Sequence, residues 1–413
     1  MNQTTDAFSY AKRVITTIVE NLTELTKPRR KFMKHLFELY LGVRGRYNFT
    51  NLSRYGTYCE QSYRNNFAQD FDFLAFNKEL IEQSCSGHKI IAFDPSYISK
   101  SGKHTEHIGR FWSGASGKAL KGLEIGGIAV VDITNNTAMS LEAIQTPSPK
   151  RLNSEGKTLI DHYADTLVER KQTLESLSNY LVVDGYFAKA GFINAITTKT
   201  ELEVISKLRK DADLRYLYEQ PPEKRRGAPR KYDGKVDVKK PDKKRIKLQY
   251  EDDHCKLYTG IVWSIRLKRK IKIAYVEWWK DGEHTGQYAL LFSTDLDLDA
   301  PTIFQYYKSR FQIEFLFRDA KQHVGLNQCQ ARDAAKLYFH FNTSLTTVSV
   351  AKATHYLPQP KEERKAFSME DIKTLYANKI MVHRIFSNLE IELNCEKIRT
   401  IYHDALFFGR KAA

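Results

Sequence analysis

Residues 180–184 are Tyr-Leu-Val-Val-Asp, an apolar run that ends in an acid and is followed by Gly185. A second run of this kind lies upstream, where residues 89–94 are Lys-Ile-Ile-Ala-Phe-Asp. Short apolar runs of this composition are typical of strands that are buried on both faces. Aspartate is unfavourable inside a strand, but open α/β sheets place functional groups at the carboxyl ends of their strands. The two stretches therefore predict two buried strands with an acid, Asp94 and Asp184, at the end of each.

The segments next to these runs predict the rest of a sheet. Residues 122–132 and 137–145 have the pattern of a β-hairpin, and residues 203–206 that of a further strand. Residues 159–177 form a clean amphipathic helical pattern, and residues 192–198 a short one. The order of strand, hairpin, helix, strand, helix and strand predicts an α/β fold whose sheet has an antiparallel edge.

Charge and composition limit the partners. The chain has 413 residues, is 42% hydrophobic and carries a formal net charge of +16. Such an excess of positive charge favours a polyanionic partner, nucleic acid first and an anionic membrane surface second. No apolar run approaches the roughly 20 residues that span a bilayer, and the N-terminus lacks a secretory pattern. The five scattered cysteines form no Cys-x-x-Cys pair, which indicates a reduced cytosolic protein.

The N-terminal stretch contains a candidate DNA-reading pair of helices. Residues 50–56 and 60–67 have the size of two short helices around a tight turn, as in a helix-turn-helix. In that interpretation four side chains would face DNA: Gln61, Tyr63, Arg64 and Asn65. The alternative is a plain helical bundle with polar outer faces.

Four polar residues share one side of a predicted long helix. Asp299 and Pro301 are start signals and Gly325 is a stop signal. At about 100° per residue, Arg310, Glu314 and Lys321 all fall within about 60° of Tyr307. On an exposed helix this would be a solvated ion-pair face. Because the helix is rich in Phe and Tyr we expect it to be buried, and buried charges require partners such as other acids, a metal or phosphate oxygens.

The spacing Tyr307-x2-Arg310-x3-Glu314-x6-Lys321 is identical to the Tyr-Arg-Glu-Lys signature of the insertion-sequence-4-type group of DDE-superfamily transposases. Residues 91–96 and 182–187 resemble the first and second aspartate motifs of that family. The family also has a β-rich insertion between its second Asp and its Glu, and here about 130 residues separate Asp184 from Glu314. The resemblance covers residues 88–345.

The resemblance implies a fold and a chemistry. We expect an RNase H-like core in which Asp94, Asp184 and Glu314 are the catalytic residues and hold two Mg²⁺ ions, for which Mn²⁺ substitutes. The phosphate backbone would be contacted by Tyr307, Arg310 and Lys321. An aromatic side chain of the insertion would stack on a displaced base; Trp278 and Trp279 are the candidates, with Trp263 behind them. For each of these tryptophans the alternative role is to fill the core of the insertion.

The implied activity is cut-and-paste DNA transposition, in which the enzyme cleaves the transposon ends and transfers the strands. Its partners would be double-stranded DNA, as terminal inverted repeats and target, and a second copy of the chain in the DNA complex, with no membrane. We expect a cytoplasmic, nucleoid-associated prokaryotic protein. The alternatives are an RNase H-fold nuclease without strand transfer and a domesticated DNA-binding protein without catalysis.

The predicted layout has five segments: a helical N-terminal DNA-binding domain (1–85), the first part of the catalytic core (86–206), a β-rich basic insertion (207–300), the second part of the core (301–345) and a helical C-terminal region (346–413).

Other polar residues near the motifs have simpler interpretations. Asp132 and Asp161 are interpreted as a hairpin-turn aspartate and a helix N-terminal aspartate. The histidines near the motifs are interpreted as DNA-facing or surface residues rather than metal ligands: His104, His107 and His323.

Overall fold

The computed structural model describes residues 3–218, 230–238 and 240–411. The Pro-, Lys- and Arg-rich stretch 221–227, part of the predicted basic insertion, lies outside the described residues. Contacts divide the chain into two compact units. The first unit comprises Met1–His88, Pro95–Arg151 and Ile313–Ala413, and the second comprises Lys89–Asp94 and Leu152–Gln312.

The helices are, in chain order, α1 (Gln3–Asn21), α2 (Lys27–Gly42), α3 (Phe49–Tyr55), α4 (Glu60–Phe67), α5 (Phe73–Ser84), α6 (Pro149–Ser154), α7 (Leu159–Val168), α8 (Lys171–Leu177), α9 (Ala190–Lys199), α10 (Ala300–Ser309), α11 (Gln312–His323), α12 (Ala334–Ala351), α13 (Met369–Asn388) and α14 (Glu396–Phe407). The strands are β1 (Lys89–Ser99), β2 (Gly109–Ser113), β3 (Lys118–Asp132), β4 (Thr137–Gln145), β5 (Tyr180–Val182), β6 (Glu203–Leu208), β7 (Leu214–Leu217), β8 (Tyr232–Lys235), β9 (Lys247–Glu251), β10 (Cys255–Ser264), β11 (Arg269–Lys280) and β12 (Glu283–Ser293).

In the first unit, the long strand β3 pairs antiparallel with β2 and with β4, and helices α5 and α12 pack on β4. Polar side chains of the helices bond the backbone of β4. Asn342 of α12 accepts from the Ala143 N–H at 2.8 Å and donates to the Ala143 carbonyl at 2.9 Å. The Asn77 amide of α5 donates to the Leu141 carbonyl. These bonds satisfy N–H and C=O groups of the β4 backbone that do not pair with β3. The buried amide side chains are tolerated in this apolar core because they make these bonds.

The second unit holds a large mixed sheet in the order β1-β5-β6-β12-β11-β10-β7-β8, with β9 on β10. The pairs β1–β5 and β5–β6 are parallel, and β12, β11 and β10 continue the sheet antiparallel. Phe93, Tyr163 and Phe187 pack their rings together beside the parallel strands. The predicted α/β class with antiparallel pairing is therefore confirmed.

Two helices predicted as continuous are broken. Residues 159–177 form α7 and α8, which are separated at residues 169–170, and the long helix between Asp299 and Gly325 divides into α10 and α11 at Arg310 and Phe311. At the second break the Phe311 N–H bonds to the Lys308 carbonyl, three residues back, so that the chain tightens at the end of α10. The angles calculated for a single helix therefore do not apply across Arg310.

The predicted pair of short N-terminal helices corresponds to α3 and α4, but the prediction that Tyr63 faces DNA is wrong. Tyr63 is fully buried, packs its ring against Phe32 and Tyr58, and is hydrogen-bonded through its hydroxyl to His35 at 2.8 Å. The Tyr63 ring therefore packs inside the helix pair and does not face a ligand. The other three predicted residues, Gln61, Arg64 and Asn65, are exposed. No helix in the described ranges is long and apolar enough to cross a membrane.

Candidate active site

Asp94 and Asp184 lie at matching positions of two adjacent parallel strands of the second unit. Asp184 follows the end of β5 as predicted, but β1 continues to Ser99, so the predicted strand end at Asp94 is wrong. The register pairs Ile91 with Leu181 and Ala92 with Val182, so each acid lies two residues beyond the same pair. Neighbouring strands are about 4.8 Å apart. The two carboxylates therefore start from backbone positions close enough for a shared ligand, although 90 residues separate them in the chain.

Local hydrogen bonds hold Asp184 where β5 ends. Its carboxylate Oδ1 accepts from the Tyr186 N–H at 3.0 Å and so caps the 3-10 turn Gly185–Phe187. Its backbone carbonyl accepts from the Ser206 hydroxyl of β6 at 2.7 Å. One bond holds the side chain of Asp184 and the other holds its backbone, which limits the freedom of the residue before any ligand arrives.

A cation that sequence reasoning did not single out lies beside Asp184. The Lys189 ammonium is 3.7 Å from the centre of the Tyr186 ring. Burial lowers the pKa of Lys189, the charge of Arg266 lowers it further, and the charge of Asp184 opposes both. The Asp-Gly-Tyr-Phe motif was the signal that could have pointed to this lysine, because the turn it forms returns the chain toward the acid.

Asp94 faces a guanidinium from the end of α10. Arg310 Nη1 lies 3.8 Å from Asp94 Oδ1, and both side chains are largely buried, at 12% and 22% exposure. The Arg310 guanidinium also lies 5.9 Å from the centre of the Tyr307 ring. The second unit thus brings together three predicted site residues, Asp94, Arg310 and Tyr307. A carboxylate buried to this extent requires such a counter-charge.

Glu314 and Lys321 lie on α11 in the first unit. Glu314 is half-buried in the first turn of the helix, where the N-terminal dipole favours a carboxylate. Lys321 donates at 2.9 Å to both the Ser96 hydroxyl and the Tyr97 carbonyl of β1. Phe317, between them, packs against Gly127 of β3. Helix α11 is therefore held by contacts with two strands, β1 and β3.

The donor set suits a hard divalent cation. Asp94, Asp184 and Glu314 offer carboxylate oxygens only, the ligands that Mg²⁺ and Mn²⁺ prefer. Within the part of the chain that the structure describes, no three His, Cys, Asp or Glu side chains are gathered tightly enough to hold an ion. Two of the acids each lie two residues beyond the Ala92–Val182 pair of adjacent strands, and the third is carried by α11.

The tryptophans of the predicted insertion are half-buried in its strands. Trp278 pairs with Cys255 in the β10–β11 register. The Trp279 ring lies 4.2 Å from the Lys256 ammonium and makes an edge contact with His284, and its buried Nε1 has no hydrogen-bond partner. Trp263 packs beside Tyr232. A buried indole N–H without a partner is unusual.

The two competing aspartates, Asp132 and Asp161, have the simple roles predicted for them. Asp132 accepts from the Asn135 N–H and side-chain amide in the hairpin turn, and Asp161 forms a capping box with Thr158 at the start of α7. His104 is exposed and His107 and His323 are half-buried, and none belongs to a metal-binding cluster among the described residues.

Comparison with known proteins points to DNA chemistry. The family model "Transposase DDE domain" matches residues 153–349, slightly under half of the chain. Asp184 and Glu314 fall inside the matched range, and Asp94 lies upstream of it. No curated protein matches the chain. A cryo-EM structure of a piggyBac transposase synaptic complex with hairpin DNA is similar over 98% of this chain and 76% of that chain, at 13% identity and a TM-score of 0.41, a likeness too distant to assign a function. The family match supports a DNA-cleaving transposase of the DDE class.

Proposed function

We propose that this chain is a cut-and-paste DNA transposase of the Tyr-Arg-Glu-Lys group that cleaves and joins DNA at transposon ends. The observation that carries the proposal is the register of β1 and β5, which puts Asp94 and Asp184 at equivalent positions on adjacent strands. The DDE-domain match over residues 153–349 supports the same chemistry. An RNase H-like core, extending over residues 86–206 and 301–345, is part of this proposal.

Asp94, Asp184 and Glu314 would hold two Mg²⁺ ions, with Mn²⁺ as a substitute. When bound, such ions polarise the attacking and leaving oxygens of an in-line phosphoryl displacement. The protein residues do the positioning. The Tyr186 N–H and the Ser206 hydroxyl hold Asp184 in place, and contacts of α11 with β1 and β3 fix the helix that carries Glu314.

Arg310, Tyr307 and Lys321 would contact the phosphates next to the cleaved bond. Arg310 is next to Asp94, so its guanidinium can neutralise carboxylate charge until phosphate oxygens replace the carboxylate as its partner. Lys321 is directed by Ser96 and Tyr97 and would supply a point charge. The half-buried Trp278 and Trp279 are proposed to stack on a displaced base.

The proposed partners are the terminal inverted repeats, target DNA and a second copy of the chain in the DNA complex. The net charge of +16 fits a polyanion of this kind. The exposed Gln61, Arg64 and Asn65 make α4 a candidate for reading the repeats. An enzyme with this substrate would act at the nucleoid of a prokaryotic cell.

The test is cleavage of a labelled duplex that carries the terminal repeat flanking the gene, with Mg²⁺ or with EDTA. Wild type is expected to nick the end only with Mg²⁺, and Glu314→Gln to bind the duplex without cutting. Glu396→Gln is the matched control, because Glu396 also lies in the first turn of a helix, α14, and is exposed. It is expected to cut normally.

The outcomes separate this proposal from its rivals. Joining of the new 3′ end to a second duplex identifies a transposase, whereas cutting without joining identifies a nuclease. Binding without cutting under either ion identifies a DNA-binding protein and overturns the enzyme assignment.

A further inference from the structure

A hairpin in the first unit leaves one aromatic side chain in solvent. Strand β2 pairs with the start of β3, with Trp112 opposite Ala119 and Arg110 opposite Lys121. The four-residue turn contains Gly117 at a φ of 59°, and a methyl group added at Gly114 or Gly117 would meet no atom within 4 Å. The turn therefore projects away from the described residues around it.

The two faces of this hairpin differ sharply. Side chains alternate between the faces of a strand: Phe111 is 2% exposed, whereas Trp112 is 64% exposed. Arg110 and Lys121 share the face of Trp112 and are exposed as well. An indole in this position forgoes burial in the core, and large aromatics of this kind are typical of binding surfaces.

Electrostatics on the hairpin favour an anionic ligand. Residues 100–121 contain five basic side chains (Lys100, Lys103, Arg110, Lys118 and Lys121) and one acidic side chain, Glu106. The Arg110 guanidinium donates at 3.0 Å to the carbonyl of Ala119, the residue opposite Trp112. One cation is thus held beside the indole instead of moving freely in solvent.

The base of the hairpin is connected to Lys321. Tyr97 accepts from the Lys321 ammonium through its carbonyl at 2.9 Å and donates through its hydroxyl to the Lys121 carbonyl at 2.8 Å. Lys321, Tyr97 and the hairpin all belong to the first unit. The Lys321 ammonium and the base of the hairpin are therefore joined through a single tyrosine, Tyr97.

We propose that the β2–β3 hairpin is a DNA-binding element in which Trp112 stacks on an unpaired base while Arg110 and Lys121 contact the phosphates on either side. Stacking platforms flanked by cations bind single-stranded segments in this way and tolerate any base sequence. The inference deepens the proposed function and rests on it. It assigns to this hairpin a role separate from that of Trp278 and Trp279.

The test measures binding of fluorescent duplexes, one intact and one with a short unpaired gap, to the full chain without metal. Trp112→Ala is expected to weaken binding of the gapped duplex by about tenfold and to leave the intact duplex nearly unchanged. Trp112→Phe is expected to recover most of the loss. Replacing Arg110 or Lys121 by glutamine is expected to reduce the salt dependence by about one phosphate contact each.

Leu389→Ala is the matched control, because Leu389 is equally exposed at 64% but is followed by Glu390 instead of lying among cations. It is expected to bind both duplexes as wild type does. The inference is overturned if Trp112→Ala binds the gapped duplex with wild-type affinity. It is also overturned if this variant changes only self-association in sedimentation, since the surface would then join two copies of the chain.

The two proposals fail in different ways. A wild-type chain that binds neither duplex overturns the proposed function together with the hairpin. A wild-type chain that nicks a transposon end, but whose DNA binding does not depend on Trp112, overturns the hairpin alone.

Discussion

Replacing Gly127 by alanine is expected to disturb the helix that carries Glu314. Gly127 lies on β3 in register with Ala143, and an added Cβ would lie 2.4 Å from Phe317 Cζ of α11. Carbon atoms normally approach to about 3.5–4.0 Å, so the ring would have to move by about 1 Å or more. Phe317 is 5% exposed and has little room to do so.

Overpacking of this kind costs about 1–3 kcal/mol in the free energy of unfolding. Glu314 lies three residues before Phe317 on α11, so displacement of the ring also shifts the carboxylate. A misplacement of about 1 Å at a reacting centre lowers the rate by about a hundredfold. We therefore expect both a loss of stability and a larger loss of nicking activity.

Urea unfolding followed by tryptophan fluorescence measures the first effect, and single-turnover nicking measures the second. The double variant Gly127→Ala/Phe317→Leu removes the clash, and its destabilisation should be smaller than the sum of the two single changes by about 0.5–3 kcal/mol. Gly191→Ala on α9 is the control, because its Cβ meets nothing within 4 Å. It should be neutral or stabilise by up to about 1 kcal/mol.

The reasoning is refuted if Gly127→Ala unfolds at the wild-type urea concentration and nicks at the wild-type rate. It is also refuted if the double variant shows simple additivity, because the clash would then not be the cause.

Three further predictions follow from the described contacts. His340 is fully buried between the Tyr40 hydroxyl and the Gly325 carbonyl, and burial lowers its pKa to about 4. Because only the unfolded chain binds the proton between about pH 6.5 and 4, the free energy of unfolding falls as pH drops through that window, by about 2 kcal/mol at pH 5. His340→Gln should lose this part of the pH slope in urea titrations at several pH values, and an unchanged slope would contradict this. Thr158→Ala removes the capping box of α7 and should lower the free energy of unfolding by about 1 kcal/mol, and a wild-type midpoint would contradict this. Mg²⁺ at about a hundredfold excess over its Kd should stabilise the wild type by about 2.7 kcal/mol in thermal melts. Asp94→Asn should abolish most of this stabilisation. An equal stabilisation in the variant would remove Asp94 from the ligand set.

Much of the second unit was predictable from local pattern. Strands buried on both faces require continuous apolar runs, so residues 89–94 and 180–184 identified β1 and β5 without any knowledge of their neighbours. Aspartate is unfavourable inside such runs, and Asp184 does follow the end of β5, but Asp94 lies inside β1, which continues to Ser99. The α/β class and, in the first unit, the β3–β4 hairpin followed from the same kind of evidence.

Long-range partners were not predictable in this way. Periodicity placed Arg310, Glu314 and Lys321 on one face of a single helix, but the chain breaks at Arg310 and divides them between α10 and α11. The contact of Arg310 with Asp94 and the bond from Lys321 to Ser96 join residues more than 200 positions apart. No local pattern encodes such pairs, because they depend on which elements pack together.

Exposure was likewise decided by the tertiary structure. Tyr63 was expected to face DNA and is fully buried, whereas Trp112, which no sequence pattern singled out, is 64% exposed. Sequence by itself determined the types of element, the acid that follows β5 and the basic charge, since these depend on neighbouring residues and composition. Only tertiary structure decided what covers each face, because burial depends on elements that approach from distant parts of the chain.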